Sequence, residues 1–291
     1  MRKILLTFAL GLSLVASAQL LNVGNVAQVP IPEDLTNKVA AISPDGTYLL
    51  ITTDYNKGLS KYDLATGQMT AVTDVDGAGY DVKISADGQN IVYRETSYTP
   101  EHLKMVALKS KDMTTGTTSM LVAPTRDMVV SERTVKGGNK VKAALGLQRP
   151  TLSIDKLHLM ITEGAETREF SPLGTDKRYI WPSVSPDGTK ALFYVTGFGA
   201  YVCNIDGTDV KELGQVRAPR WYNDNIIVGM NDQDNGVVYT SSSIIAVDLN
   251  GTTQVLTGDD VIAMYPLPDA AGNKIAFSTP TGEAYIITIN K

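Results

Sequence analysis

Cysteine is almost absent from this chain. The single one, Cys203, can form no disulfide within the chain in any compartment. It sits in Tyr201-Val202-Cys203-Asn204-Ile205 between apolar neighbours and reads as a small buried hydrophobe, not a nucleophile. Histidine is nearly as scarce. His102 and His158 have neither His-Glu-x-x-His spacing nor an i, i+4 partner. No Gly-x-Ser-x-Gly elbow offers a serine nucleophile, and no glycine loop suits phosphate; Gly137-Gly138-Asn139 reads as a hairpin turn. Positive charge is outnumbered, with 26 Lys and Arg against 31 Asp and Glu, a net charge of −5. An acidic chain of this kind is a poor candidate for binding nucleic acid.

Long apolar runs are missing too. The longest, Ile4–Val15, is too short to span a bilayer. It follows basic Arg2 and Lys3 and precedes the small residues Ala16-Ser17-Ala18, the three parts of a secretory leader. Residues 1–18 are therefore expected to be removed, leaving a mature chain from Gln19 to Lys291 that is periplasmic or secreted in a Gram-negative bacterium. Gln19 in place of cysteine argues against a lipoprotein anchor. Loss of Arg2 and Lys3 moves the net charge from −5 to −7. Lys104, Lys109, Lys111, Arg126, Arg133, Lys136, Lys140 and Lys142 form one basic region, which reads as solvated strand faces, not as a patch for anionic glycan or lipid A.

What the chain has in quantity is turns. In Ser185-Pro186-Asp187-Gly188 proline sets the first corner, aspartate can bond its own backbone, and glycine takes the left-handed position. Asp206-Gly207-Thr208-Asp209 repeats the chemistry. The runs between, Lys190–Thr196 and Ala200–Ile205, are rich in β-branched and aromatic residues and read as strands. The unit recurs at Ile42–Thr73, Ile84–Val122, Val135–Gly174 (degenerate), Val184–Gly214, Arg220–Gly258 and Leu267–Lys291. Its first turns lie about 35 to 50 residues apart, the period of four-stranded propeller blades. The expected fold is all-β: one six-bladed β-propeller over residues 19–291, with no linker. The sixth copy ends after three strands, and Asn22–Pro32 is expected to supply its fourth and close the ring.

Ser-Pro-Asp-Gly, a strand, a second strand and an Asp-x-x-Thr-Gly or Asp-Gly-Thr turn together resemble the WD40-like repeat of TolB-type β-propellers. Pro219-Arg220-Trp221 before the fifth turn fits the same pattern. The resemblance covers about 250 residues. It implies fold strongly and function weakly, because such blades serve periplasmic scaffolds, peptidase gating domains and polysaccharide lyases alike. TolB carries a further N-terminal domain that nothing here matches. The propeller lyases hold a metal with a histidine-rich cluster at the channel mouth, which two distant histidines do not provide.

No catalytic residue and no cofactor is expected, and the chain is expected not to be an enzyme. The expected activity is recognition of a protein or peptide partner in the cell envelope; the alternative is a glycan-binding or polysaccharide-cleaving propeller. A channel mouth of carboxylates and aromatics would favour the alternative, and a channel of backbone and small residues the first. The variable connections are Asp54–Leu59, Asp74–Gly79, Ser97–His102, Leu147–Asp155 and Asn231–Ser243. Tyr55, Tyr98, Tyr179, Trp181, Phe198, Arg220, Trp221, Tyr239 and Tyr265 are the candidate partner-binding residues on that face. Trp181 and Trp221 have inter-blade packing as the competing role. Asp232 and Asp234 are weak candidates for calcium, in a segment that lacks the full twelve-residue loop.

Overall fold

A computed structural model describes residues 19–32, 37–53, 55–126, 138–155, 157–164 and 166–291. The expected leader, Asp54, Gly137, and Arg133 and Lys136 of the basic region lie outside the described residues.

The described chain is nearly all strand. β1 (Asn22–Gln28) comes first. Blade one holds β2 (Asn37–Ile42), β3 (Tyr48–Thr53), β4 (Leu59–Asp63) and β5 (Met69–Thr73), and blade two holds β6 (Lys83–Ile84), β7 (Asn90–Tyr98), β8 (Lys104–Asp112) and β9 (Thr118–Thr125). A helix, α1 (Gly138–Leu145), precedes blade three, which has β10 (Thr151–Asp155), β11 (His158–Glu163) and β12 (Glu166–Glu169). Blade four is β13 (Tyr179–Val184), β14 (Lys190–Val195), β15 (Gly199–Asn204) and β16 (Lys211–Gly214). Blade five is β17 (Arg217–Trp221), β18 (Ile226–Asp234), β19 (Tyr239–Asp248) and β20 (Thr253–Val255). Blade six is β21 (Met264–Pro268), β22 (Lys274–Ser278) and β23 (Ala284–Asn290), with β1 antiparallel along β23, Asn22 opposite Asn290 and Gln28 opposite Tyr285. The six sheets make a six-bladed β-propeller.

Local chemistry accounts for the repeat. The turn serine accepts from the next strand: Tyr48 N to Ser43 Oγ at 3.0 Å, Asn90 N to Ser85 Oγ at 2.8 Å and Lys190 N to Ser185 Oγ at 2.9 Å. Each of these hydroxyls donates to the turn aspartate, Asp45, Asp87 or Asp187. The second turns are closed by Asp63, Asp112, Asp206 and Asp248, whose carboxylates take backbone N–H groups two to four residues on.

Alternate residues of each strand pack against the neighbouring blade, so the apolar core lies between blades. Blades one and two share Leu50 and Ile91; three and four share Ile161, Phe193 and Cys203; four and five share Leu192 and Ile227; five and six share Met230 and Phe277; six and one share Ala276 and Leu49. Blade two instead meets α1, through Val92 and Leu108 against Val141 and Leu145. The segment expected to be a degenerate hairpin is this helix. Lys-Val-Lys-Ala-Ala-Leu has high helix propensity and seats two apolar residues, four apart, on blade two. The Cys203 thiol is buried, and burial pushes its pKa up to about 12.

Hydrogen bonds between neighbouring first turns tie the blades together at one face. Tyr48 Oη donates to Gly88 O, Arg149 Nη1 to Ser185 O, Asp187 N to Asp224 Oδ1, Tyr222 Oη to Gly272 O and Lys274 Nζ to Gly46 O. These bonds link every junction except that of blades two and three.

Candidate functional site

The innermost strands of blades one, two, four, five and six border a central cavity of about 1070 Å³, and blade three contributes Arg149 ahead of β10. A repeated irregularity shapes its wall. In blades four, five and six two residues of the inner strand face one on its partner: Trp181-Pro182, Ala218-Pro219 and Tyr265-Pro266. The first residue of each pair is left-handed, with φ of 51°, 46° and 55°. Asp81, four residues before its turn serine like Trp181, has φ of 54°. An L-residue in this region ahead of proline is strained, and such strain collects at working sites. Gly229 stands opposite the blade-five bulge, where a Cβ would come within 2.9 Å of Arg217 O.

The cavity carries aromatic rings, charges and unpaired polar atoms. Tyr80, Trp181, Tyr239 and Tyr265 line its part nearest the variable connections; Trp221 and Tyr222 line the part beside the first turns. Lys38, Lys83, Arg149 and Arg220 supply cations, and Asp81, Asp224 and Asp269 supply carboxylates. Lys83 pairs with Asp81 at 2.7 Å, and Arg94 stacks on the Tyr80 ring at 4.5 Å. Trp221 Nε1, Ser183 Oγ and Asp269 Oδ2 are buried in the lining residues without hydrogen-bond partners among the described residues. Buried polar atoms left unpaired in a cavity wall mark places where a ligand or water would be held.

Beside the upper part, Arg217 Nη1 donates to Asp232 Oδ2 at 2.7 Å. The Asp232 side chain is 1% exposed, and its other oxygen has no partner among the described residues. Burial raises the Asp232 carboxyl above its ordinary value, and Arg217 opposes the rise. The Tyr265 phenol is pushed up to about 12 by burial and by its hydrogen bond with Tyr239. Trp181 meets Tyr194 edge-on at 5.4 Å.

Of the expected site residues, Trp181, Arg220, Trp221, Tyr239 and Tyr265 share this cavity. Both tryptophans also pack between blades four and five. Arg220 and Trp221 end β17 next to a first turn, so they lie at the opposite end from the variable face where they were expected. Tyr179 is a correction: its ring is 2% exposed in the core of blades three and four, and its hydroxyl donates to Gly174 O. Tyr55 and Phe198 on connections and Tyr98 at the end of β7 are exposed outside the cavity, with Lys177 over the Phe198 ring. Asp234 accepts from Gly236 N and Asp232 binds Arg217, so the expected calcium pair is engaged in structural bonds.

The variable connections are shorter than expected because strands run into them. Ser97 and Tyr98 belong to β7, Thr151–Asp155 is β10, and Asn231–Ser243 is mostly the hairpin of β18 and β19. Blades two and five, opposite each other in a six-membered ring, therefore raise long hairpins on either side of the channel mouth. Lys142 is a further correction, buried rather than on a solvated face.

Sequence reasoning missed Asp81, Lys83, Arg149, Arg217, Asp224 and Asp269. For Asp81 the available signal was positional, since it stands four residues before its turn serine as Trp181 does; the other five carried no such signal.

No family model matches the chain, and no curated protein matches it in sequence. Solved structures similar to it include an oligogalacturonate lyase from Vibrio parahaemolyticus, 14% identical, covering 86% of this chain and 76% of that one with a TM-score of 0.45. An oligogalacturonate lyase in complex with manganese is 16% identical over 86% of this chain and 76% of that one, with a TM-score of 0.46. TolB from Acinetobacter baumannii is 14% identical over 85% of this chain and 53% of that one, with a TM-score of 0.33. Two of these three are enzymes, so the expectation that the chain is not an enzyme is withdrawn. A manganese site does not fit the residues here: among the described residues no three His, Cys, Asp or Glu side chains group as metal ligands, and neither histidine lines the cavity.

Proposed function

We propose that the mature chain is an exported carbohydrate-binding propeller whose central channel holds a saccharide. The leader supports export to the periplasm or beyond. The observation that carries the reading is the channel lining: six aromatic rings interleaved with carboxylates, cations and unpaired buried polar atoms. Aromatic faces stack on the apolar faces of sugar rings, and fixed polar groups read hydroxyls. A channel of backbone and small residues would not do this. Titration calorimetry of residues 19–291 against a panel of neutral and acidic oligosaccharides tests it. Trp181→Ala and Tyr265→Ala should each weaken the best ligand about tenfold, and Tyr98→Ser should leave it unchanged. Absence of binding across the panel, or indifference to both channel variants, rejects the reading. The same mixtures, followed for new chain ends, report turnover.

A second reading, a protein partner in the cell envelope, is favoured by one observation. Tyr55, Tyr98, Phe198, Val237 and Val238 are exposed apolar residues on, or in the case of Tyr98 at the strand end beside, the connections between second and third strands of blades one, two, four and five. Those connections lie on one face. Tyr98→Ser with Val238→Ser should then remove capture of an envelope protein and leave saccharide binding intact.

A further inference from the structure

We infer that the junction between blades two and three is a second binding site, for a small organic anion. A separate cavity of about 190 Å³ lies there, between α1, the start of blade three and the inner strand of blade four. Its lining includes three cations and no carboxylate: Lys83 from blade two, Lys142 from α1 and Arg149 ahead of β10. Lys83 is paired with Asp81. Arg149 donates to Ser185 O, and Asp224 and Asp187 lie within electrostatic reach of it. Lys142 differs. Its side chain is buried, and its ammonium makes no hydrogen bond or ion pair among the described residues.

An anion beside Lys142 would gain a charge-assisted hydrogen bond in a pocket whose lining holds no competing carboxylate. A second polar group awaits a partner in the same lining, since Ser183 Oγ is buried and unbonded. The remaining wall is apolar, with Leu145, Leu147 and Leu152. One anionic head would meet Lys142 and Ser183, and a compact apolar body would lie against the leucines. Cavities of about 150 Å³ admit benzene, so the volume suits one ring or a branched chain and excludes an oligosaccharide. The site shares a wall with the channel but does not depend on what the channel binds.

Calorimetry of residues 19–291 with benzoate, phenyl phosphate, benzamide and inorganic phosphate tests the inference. Benzoate or phenyl phosphate should bind at least tenfold more tightly than benzamide and inorganic phosphate. Lys142→Met should weaken the bound aryl anion about tenfold, as expected for loss of a charge-assisted hydrogen bond. Ser183→Ala should weaken it less, and Leu145→Trp should block it by filling the space. Where Leu145→Trp fails to fold by circular dichroism, Lys142→Met and Ser183→Ala carry the test. Tyr265→Ala should leave it unchanged; loss of binding in that variant would move the ligand into the channel and overturn the assignment. Equal binding of benzamide, equal binding of inorganic phosphate, no binding of either aryl anion, or indifference to Lys142→Met would also overturn it.

Discussion

Tyr265 holds a φ of 55° immediately before Pro266, with its ring half-exposed to the channel. A side chain with a Cβ is strained in this conformation and glycine is not. Tyr265→Gly should therefore be more stable than Tyr265→Ala by about 1 kcal/mol, although glycine is the more flexible residue when unfolded. Urea denaturation of the two variants checks this; the opposite order would mean that the left-handed backbone carries no strain. The turn aspartates make a different kind of prediction. The Ser185 hydroxyl, then the Thr189 N–H, hold the Asp187 carboxyl down at about 2, against an ordinary 3.8. The Asp45 and Asp87 carboxyls are lowered in the same way, chiefly by Ser43 and Ser85. A depressed carboxyl stabilises the fold above its unfolded value and loses that contribution as pH falls. Stability from Asp187 should be complete above about pH 4 and disappear by about pH 2. Denaturation midpoints measured across that range should fall, and Asp187→Asn should flatten the fall while lowering the neutral-pH midpoint.

Single strands and helices show which parts of the structure were legible in the sequence. The first turns were legible because serine, aspartate and glycine fix them locally, without help from distant residues. The inner-strand bulges were not, because their two-against-one pairing shows only when the partner strand is in place. Sorting residues by connection put Arg220, Trp221 and Tyr179 on the variable face, whereas Arg220 and Trp221 end β17 beside a first turn and Tyr179 starts β13 in the core. The helix α1 was written in its residues, yet the repeat pattern imposed a hairpin on it. β1 gives the element-scale prediction. Leu21 just before it and Val29 just after it are each 6% exposed, and the Leu20 and Leu21 N–H groups donate to Gln254 of blade five. Deleting residues 19–29 removes about 2 kcal/mol for each buried side chain and uncovers the edge of β23. The deletion should lower the melting temperature by several degrees and promote aggregation, read by scanning calorimetry and light scattering. An unchanged melting temperature in a fully dispersed sample would refute it.

Across the whole ring, stability should not be uniform. Blade three has three strands, all four residues of β12 are exposed, and no turn-to-turn bond joins its junction with blade two among the described residues. Opening is easiest where buried contacts and protected hydrogen bonds are fewest. Amide exchange should be fastest in blade three and slowest in blades four and five; equal protection around the ring would count against this gradient. Cys203 gives that gradient a second use. Its thiol lies in the contact between blades three and four, shut off from solvent and held protonated at neutral pH. In the closed ring it should ignore a maleimide dye, since the thiolate is the reacting form. If blade three swings away by itself, the dye will attach in mild urea, before the remaining blades lose their signal. The native protein thus carries its own chemical clock for partial opening, with one reactive atom and no engineered label.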